Sequence, residues 1–220
     1  MRAAQADEIM RPADDLNAVT SPRDRLLNTA NDLFYRRGIH AVGIDEVIGA
    51  AGVAKMSLYR SFPSKDELVA AYLARRSGLY WDWWDRVVAR HPGKPRQQLL
   101  ALTKSLRKRA LRAGWRGCPF TNAACEFPEP DHPARRVAEA NKRELRRRFR
   151  ALATAAGARS PARLADQLTL LFEGTYASVL TLGHRGPARA LVEAAASMID
   201  AQLRKPDEPA LRRSPSRGAR

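Results

Sequence analysis

The chain has 220 residues, 45% of them apolar, enough to bury a core in one or two domains. A net charge of +16 suits an acidic polymer as partner, although an anionic membrane surface or simple solubility would also suit it. Two cysteines make no disulfide framework, the mixed-charge N-terminus has no signal-peptide core, and charges interrupt every apolar run before 18 residues. A cytoplasmic protein without a membrane span is expected.

Residues 1–19 carry Pro12 and several acids without sustained periodicity and read as a flexible arm. Ser21-Pro22 opens a first helix, with Ser21 as N-cap and Pro22 in the first turn. Leu26, Leu27, Ala30, Leu33 and Phe34 recur at helical spacing, and Gly38 closes the helix. A second helix enters from Ile44, with Gly43 as its N-cap and Val47 and Ile48 on one face, and breaks at Gly52. A third, over about 54–60, turns Leu58 inward and leaves Lys55, Met56, Ser57, Tyr59 and Arg60 outside. Helix, tight glycine turn, helix is the geometry that lays its second helix in the major groove of DNA. Ser64-Lys65-Asp66-Glu67 is a capping box that restarts the chain as a long helix through Trp81, Trp84 and Val88, stopped near His91-Pro92-Gly93.

A further helix holds Leu99, Leu102, Leu106 and Ala110 in phase. Pro119, Pro128, Pro130 and Pro133 then forbid a long helix over 114–133. The next helix sets Val137, Leu145, Phe149, Leu152 and Ala156 against Lys142, Arg143, Arg146, Arg147 and Arg150, the latter read as a solvated face. Two more follow, over about 162–183 and 187–203, and residues 204–220 have the composition of a disordered basic tail. With no strand-like alternation, the fold class is all-α.

Phe34, Gly38, Ala51-Gly52-Val53, Lys55, Leu58-Tyr59, Phe62, Lys65 and Leu68 stand at the spacings of an established signature. Through them residues 20–80 resemble the DNA-binding domain of the TetR family of bacterial transcriptional regulators. The resemblance implies a helix-turn-helix head over 20–80 and a helical effector-binding and dimerisation domain over 81–203. It also implies a homodimeric repressor that a small molecule releases from a palindromic operator. Tyr59 and Lys65 match positions that commonly contact phosphates. Two positions depart from the pattern: Val42-Gly43 and Ala54 stand where serine or threonine usually caps a helix, which bears on the operator sequence and not on the fold.

On this reading double-stranded operator DNA meets Gly43, Ile44, Lys55, Met56, Ser57, Tyr59, Arg60 and Lys65. Lys65, at a helix start, offers an ammonium beside free backbone N–H groups. Lys55 or Arg60 can bond guanine O6 and N7, and Met56 can pack on a thymine methyl. The other reading of these charges is a solvated face.

For an unidentified effector the candidates are Trp84, Trp115, Cys118, Phe120, Asn122, Phe127, Phe172 and Tyr176. Pockets are apolar with a few polar groups, and the competing reading of each aromatic is ordinary core. The last two helices, about 162–203, carry enough apolar surface for a four-helix dimer interface. Gly117-Cys118-Pro119-Phe120-Thr121-Asn122-Ala123 resembles a segment of those TetR-like regulators that sense electrophiles or oxidants. Cys118 is either such a sensor or a small buried apolar residue. Cys118, Cys125 and His132 match no zinc spacing, and no metal or cofactor is expected. Two other functions remain: a ligand-independent architectural DNA-binding protein, and a Cys118-dependent thiol enzyme, for which no histidine forms a recognisable partner motif.

Overall fold

The computed structural model describes residues 21–203, so the N-terminal arm and the basic tail lie outside the described residues. Among the described residues the chain is helical throughout, without a strand: α1 (Pro22–Arg37), α2 (Ile44–Ala51), α3 (Lys55–Ser61), α4 (Lys65–Val88), α5 (Pro95–Ala110), α6 (Pro119–Glu126), α7 (Pro133–Ala155), α8 (Pro161–Leu182) and α9 (Leu191–Leu203). The last sequence-derived helix therefore divides. Pro187–Ala190 forms a 3-10 turn after Gly183 and Gly186, and the α-helix begins only at Leu191. None of these helices is long and apolar enough to cross a membrane.

Local chemistry explains the head. The Ser21 hydroxyl accepts from the Asp24 N–H at 3.1 Å, capping α1, and Gly38 ends it at φ 95°. Gly52 adopts the left-handed conformation (φ 60°, ψ 43°) that turns α2 into α3, and the Ser64 hydroxyl accepts from the Glu67 N–H at 3.1 Å to start α4. Leu26, Phe34, Val47, Leu58, Phe62 and Leu68 bury fully or nearly so and fix the three short helices on the start of α4.

α4 runs without interruption from this head into the body, packing first on α1 and then on α5 and α7. α7 and α8 lie along one another, α6 rests on α7, and α9 closes over α5 and α8. One contiguous buried cluster links head and body, from Leu26 through Trp83 to Ile199. Within it the Trp83 indole donates to Ser105 Oγ at 2.9 Å, and the Asn141 amide donates to Ser77 Oγ at 3.0 Å. These two buried polar side chains are thus paired where α4 meets α5 and α7.

Candidate nucleic-acid interface and interior site

α3 projects from the head with a single buried anchor, Leu58. Met56 is 66% exposed and Tyr59 43%, both unusual for large apolar side chains, and Lys55 and Arg60 are exposed beside them. Ser57 is half-buried, its C=O accepting from the Ser61 hydroxyl at 2.9 Å. Gly43 caps α2 with an extended backbone, Ile44 begins that helix half-buried, and Lys65 begins α4 half-buried. The head therefore brings all eight proposed DNA residues to the starts of α2 and α4 and along α3. Asp45 escaped the sequence reading: its carboxylate holds the Lys55 ammonium at 2.9 Å, and that hydrogen bond raises the Lys55 pKa above its usual value. Arg60 Nε donates to the Met56 C=O at 3.3 Å.

Head and body join at a second set of contacts. The Glu126 carboxylate accepts from the N–H groups of Ile39 (3.0 Å) and His40 (2.7 Å), just past α1. Phe127 stacks on His132, with ring centroids 4.0 Å apart, and lies tilted against His40 at 4.7 Å. The Tyr35 hydroxyl donates to the Gly117 C=O at 3.2 Å and accepts from the Arg116 N–H at 3.0 Å. A cleft of about 240 Å³ opens here, lined by Tyr35, Ile39, Arg116, Asn122, Cys125 and Glu126 among others.

The proposed effector residues fall into three places. Phe127 and Asn122 are at the head–body junction, the Asn122 amide donating to the Arg116 C=O at 2.9 Å. Trp84 and Phe172 are buried edge-on against Phe149, each 4.9 Å from it between centroids, as core. Trp115, Cys118, Phe120 and Tyr176 gather around Lys142, whose Nζ is 5.9 Å from the Phe120 centroid and 5.5 Å from that of Tyr176.

Lys142 corrects the sequence reading of that face as solvated. It is half-buried, its Nζ donating to Cys118 Sγ at 3.0 Å and to Glu173 Oε1 at 2.6 Å. Burial alone would lower its pKa, but Cys118 and Glu173 outweigh that and hold it above the usual lysine value. Its position seven residues before Phe149 carried the signal, because that spacing returns to the same helix face. The remaining arginines, Arg143, Arg146, Arg147 and Arg150, are surface residues as expected, and three have an ion-pair partner: Arg143 with Glu139, Arg146 with Asp166, and Arg147 with Glu144. The hydrogen-bonding neighbour of the buried Cys118 is the Lys142 ammonium and not a histidine. Among the described residues no three His, Cys, Asp or Glu side chains assemble as metal ligands.

Arg109 is the second residue the sequence reading missed. It is 7% exposed, at the end of α5, with its guanidinium 4.6 Å from the Trp83 ring centroid and 5.8 Å from that of Trp115. Its spacing from Leu102 and Leu106 puts it in phase with the buried face. Burial lowers its pKa from the usual arginine value and pushes that of nearby Tyr80 up to about 12.

A family model described as bacterial regulatory proteins, tetR family, matches residues 26–72, the span from α1 into α4. The crystal structure of SCO4454, a TetR-family transcriptional regulator from Streptomyces coelicolor, superposes with a TM-score of 0.73 at 30% identity, covering 83% of this chain and 94% of that one. The HTH-type transcriptional activator FasR of Mycolicibacterium smegmatis is 49% identical over 53 residues, 24% of each chain. The HTH-type transcriptional repressor KstR2 of Rhodococcus jostii is 40% identical over 73 residues, 31% of this chain and 36% of the relative. The chain thus spans only about a quarter to a third of these curated relatives, whereas the likeness to SCO4454 covers most of both chains. On the family-model match together with the likeness to SCO4454 over most of both chains, the chain belongs to the TetR family of bacterial regulatory proteins.

Proposed function

We propose that this protein is a homodimeric, sequence-specific DNA-binding repressor, with its reading head over 20–80 and an effector and dimerisation domain over 81–203. The observation that carries the reading is the outward face of α3, where Lys55, Met56, Tyr59 and Arg60 stand exposed on a helix anchored by Leu58 alone. Such a helix fits a major groove, with Met56 suited to a thymine methyl and the cations to guanine or phosphate. Tyr59 and Lys65 serve as phosphate contacts that set register.

Dimerisation is supported by α8 and α9. Leu170 is 71% exposed and Leu182 63%, and a groove of about 390 Å³ beside Leu170 is lined by Leu171, Gly174, Leu191 and Met198. A second copy on this face would bury it as a four-helix interface and set two heads about one helical turn apart. Release of DNA follows if an effector binds better to the dimer whose heads misfit the operator; operator DNA must then weaken the effector equally. The names of the relatives include both an activator and a repressor.

Selection from a random double-stranded DNA pool at near-physiological salt tests the proposal. A recovered palindrome supports it. Uniform, salt-sensitive binding without enrichment overturns it in favour of an architectural role. A thiol-sensing branch rests on Cys118 beside Lys142. DNA release by a thiol-reactive compound, abolished in Cys118→Ser, supports that branch, and release unchanged by the substitution removes it.

A further inference from the structure

The body buries more positive than negative charge. Arg109 is buried at the end of α5, yet its Nη1 has no hydrogen-bond partner, and among the described residues no carboxylate pairs with it. Two more buried polar atoms around it are also unsatisfied: the Trp115 indole Nε1 and the Tyr80 hydroxyl, which sits near that of Tyr176 without a full hydrogen bond. Glu173, the neighbouring acid, is taken up by Lys142 and by the Thr121 hydroxyl at 2.8 Å. A buried guanidinium ordinarily carries an anion, and orphaned N–H groups ordinarily carry acceptors.

The surroundings are aromatic. Tyr80 packs on Trp83 at 5.2 Å between centroids, and Trp115 stacks on Tyr176 at 5.7 Å with planes 15° apart. Trp115 is half-buried and reaches this centre from the loop between α5 and α6, covering Arg109 from outside. Arg116 and Gly117 of the same loop are the partners of Tyr35 on α1.

We propose that the centre formed by Arg109, Tyr80 and Trp115 is the effector site, and that it takes a small organic acid. The carboxylate lies on Arg109 with the Trp115 and Tyr80 groups as further donors, and the apolar body lies among the rings of Trp83, Trp115 and Tyr176. A carboxylate offers only acceptors, which is what this set of donors lacks, and arginine presents them as a fork. Entry requires Trp115 to move outward. Its movement pulls the Arg116–Gly117 strap on Tyr35, which transmits occupancy to α1 and the head. This assignment rests on the regulator reading for its consequence, but its binding step is measurable without DNA.

The test is calorimetric titration of the full chain at neutral pH with 2-naphthoate and decanoate, each beside its neutral carboxamide. The acids are expected to bind at least tenfold more tightly than the amides. Arg109→Gln should remove that preference, and Trp115→Phe, which keeps an aromatic ring, though a smaller one, and loses the N–H, should weaken the acids several-fold. Absence of acid binding, equal binding of acid and amide, or an acid preference surviving in Arg109→Gln would each overturn the proposal. Should Arg109→Gln fail to fold, the acid–amide comparison in the unsubstituted chain and Trp115→Phe still decide it. Operator selection without any acid reads the regulator proposal separately, so an acid-binding chain that selects no DNA sequence would sink that reading alone.

Discussion

Glu126 and His40 are joined twice across the boundary between head and body. Glu126 Oε2 accepts from the His40 N–H at 2.7 Å, and the Glu126 C=O lies 2.8 Å from His40 Nε2. The same carboxylate accepts from the Ile39 N–H, so the last turn of α6 holds the two residues that follow α1. Glu126→Ala removes both carboxylate bonds and is expected to cost about 1–3 kcal/mol, since backbone N–H groups lose a charged acceptor. Glu126→Gln retains one acceptor oxygen and should cost less. Urea unfolding midpoints of the two variants give the order, and equal loss would show that the carboxylate charge, and not its acceptor geometry, carries the junction.

Ala54 marks a place where the head is less stable than its fold allows. It is the N-cap of α3, with extended backbone (φ −71°, ψ 145°) and no side-chain acceptor for the helix's free N–H groups. Ala54→Ser supplies one at an exposed position and should stabilise the protein by about 1 kcal/mol. Thermal unfolding checks this. No rise in Tm would mean that the first turn of α3 is already satisfied by solvent.

Gly52 and Gly117 separate two costs of a side chain. Gly52 is left-handed with nothing within 4 Å of an added Cβ, so Gly52→Ala should cost only the conformational strain, about 1–2 kcal/mol. At Gly117 (φ 75°) an added Cβ falls 2.6 Å from Leu180 Cδ1, so Gly117→Ala bears the same strain plus displacement of that side chain. Pairing Gly117→Ala with Leu180→Ala should recover the steric part and leave the strain. Denaturation of the single and double variants measures both.

Much of this architecture is local and therefore legible. Ser21, Gly38, Gly52 and Ser64 are caps and turns whose chemistry acts within four residues, and each stands where its residue type predicts. The signature residues Leu58, Phe62 and Leu68 are core because their spacing returns them to one face. Lys142 and Arg109 are less legible because a charged residue type points to exposure, although both lie in phase with buried neighbours. The Glu126–His40 link joins residues far apart in sequence, and no periodicity within either segment announces it. The split of the last helix at Leu191 was also invisible, since Pro187 fits a 3-10 turn and an α-helix start equally well.

Acid should weaken the α7 surface at a defined point. Hydrogen bonds from Arg147, and then from Arg148, hold the Glu144 pKa down from the usual 4.5 to about 2 despite some opposing desolvation. A carboxylate depressed on folding stabilises the native state above its unfolded pKa, and that contribution fades as pH falls through its folded one. The window is therefore about pH 4.5 down to 2. Glu144→Gln should flatten the fall in stability across that window relative to the unsubstituted chain. Parallel slopes would assign the acid sensitivity to other carboxylates.

The reading helix makes the sharpest claim on DNA. In the free protein Lys55 is paired with Asp45 at 2.9 Å, and both side chains are more than half exposed, so the pair contributes little to stability. An incoming phosphate or base must take Lys55 from Asp45 and meets the aspartate's negative charge as it does so. Asp45→Asn removes that competition and should tighten binding to operator and to random DNA alike, with stability changed by less than about 0.5 kcal/mol. Tyr59→Phe removes a hydroxyl from an exposed side chain and should weaken all sequences by a similar factor, as a phosphate contact does. Met56→Ala should instead lower the preference for particular bases at the position it touches, with random-DNA affinity unchanged. Binding titrations against the selected palindrome and a scrambled duplex, at two salt concentrations, separate these outcomes. If Met56→Ala weakened both duplexes equally, α3 would be a backbone clamp, and sequence readout would have to come from elsewhere on the head.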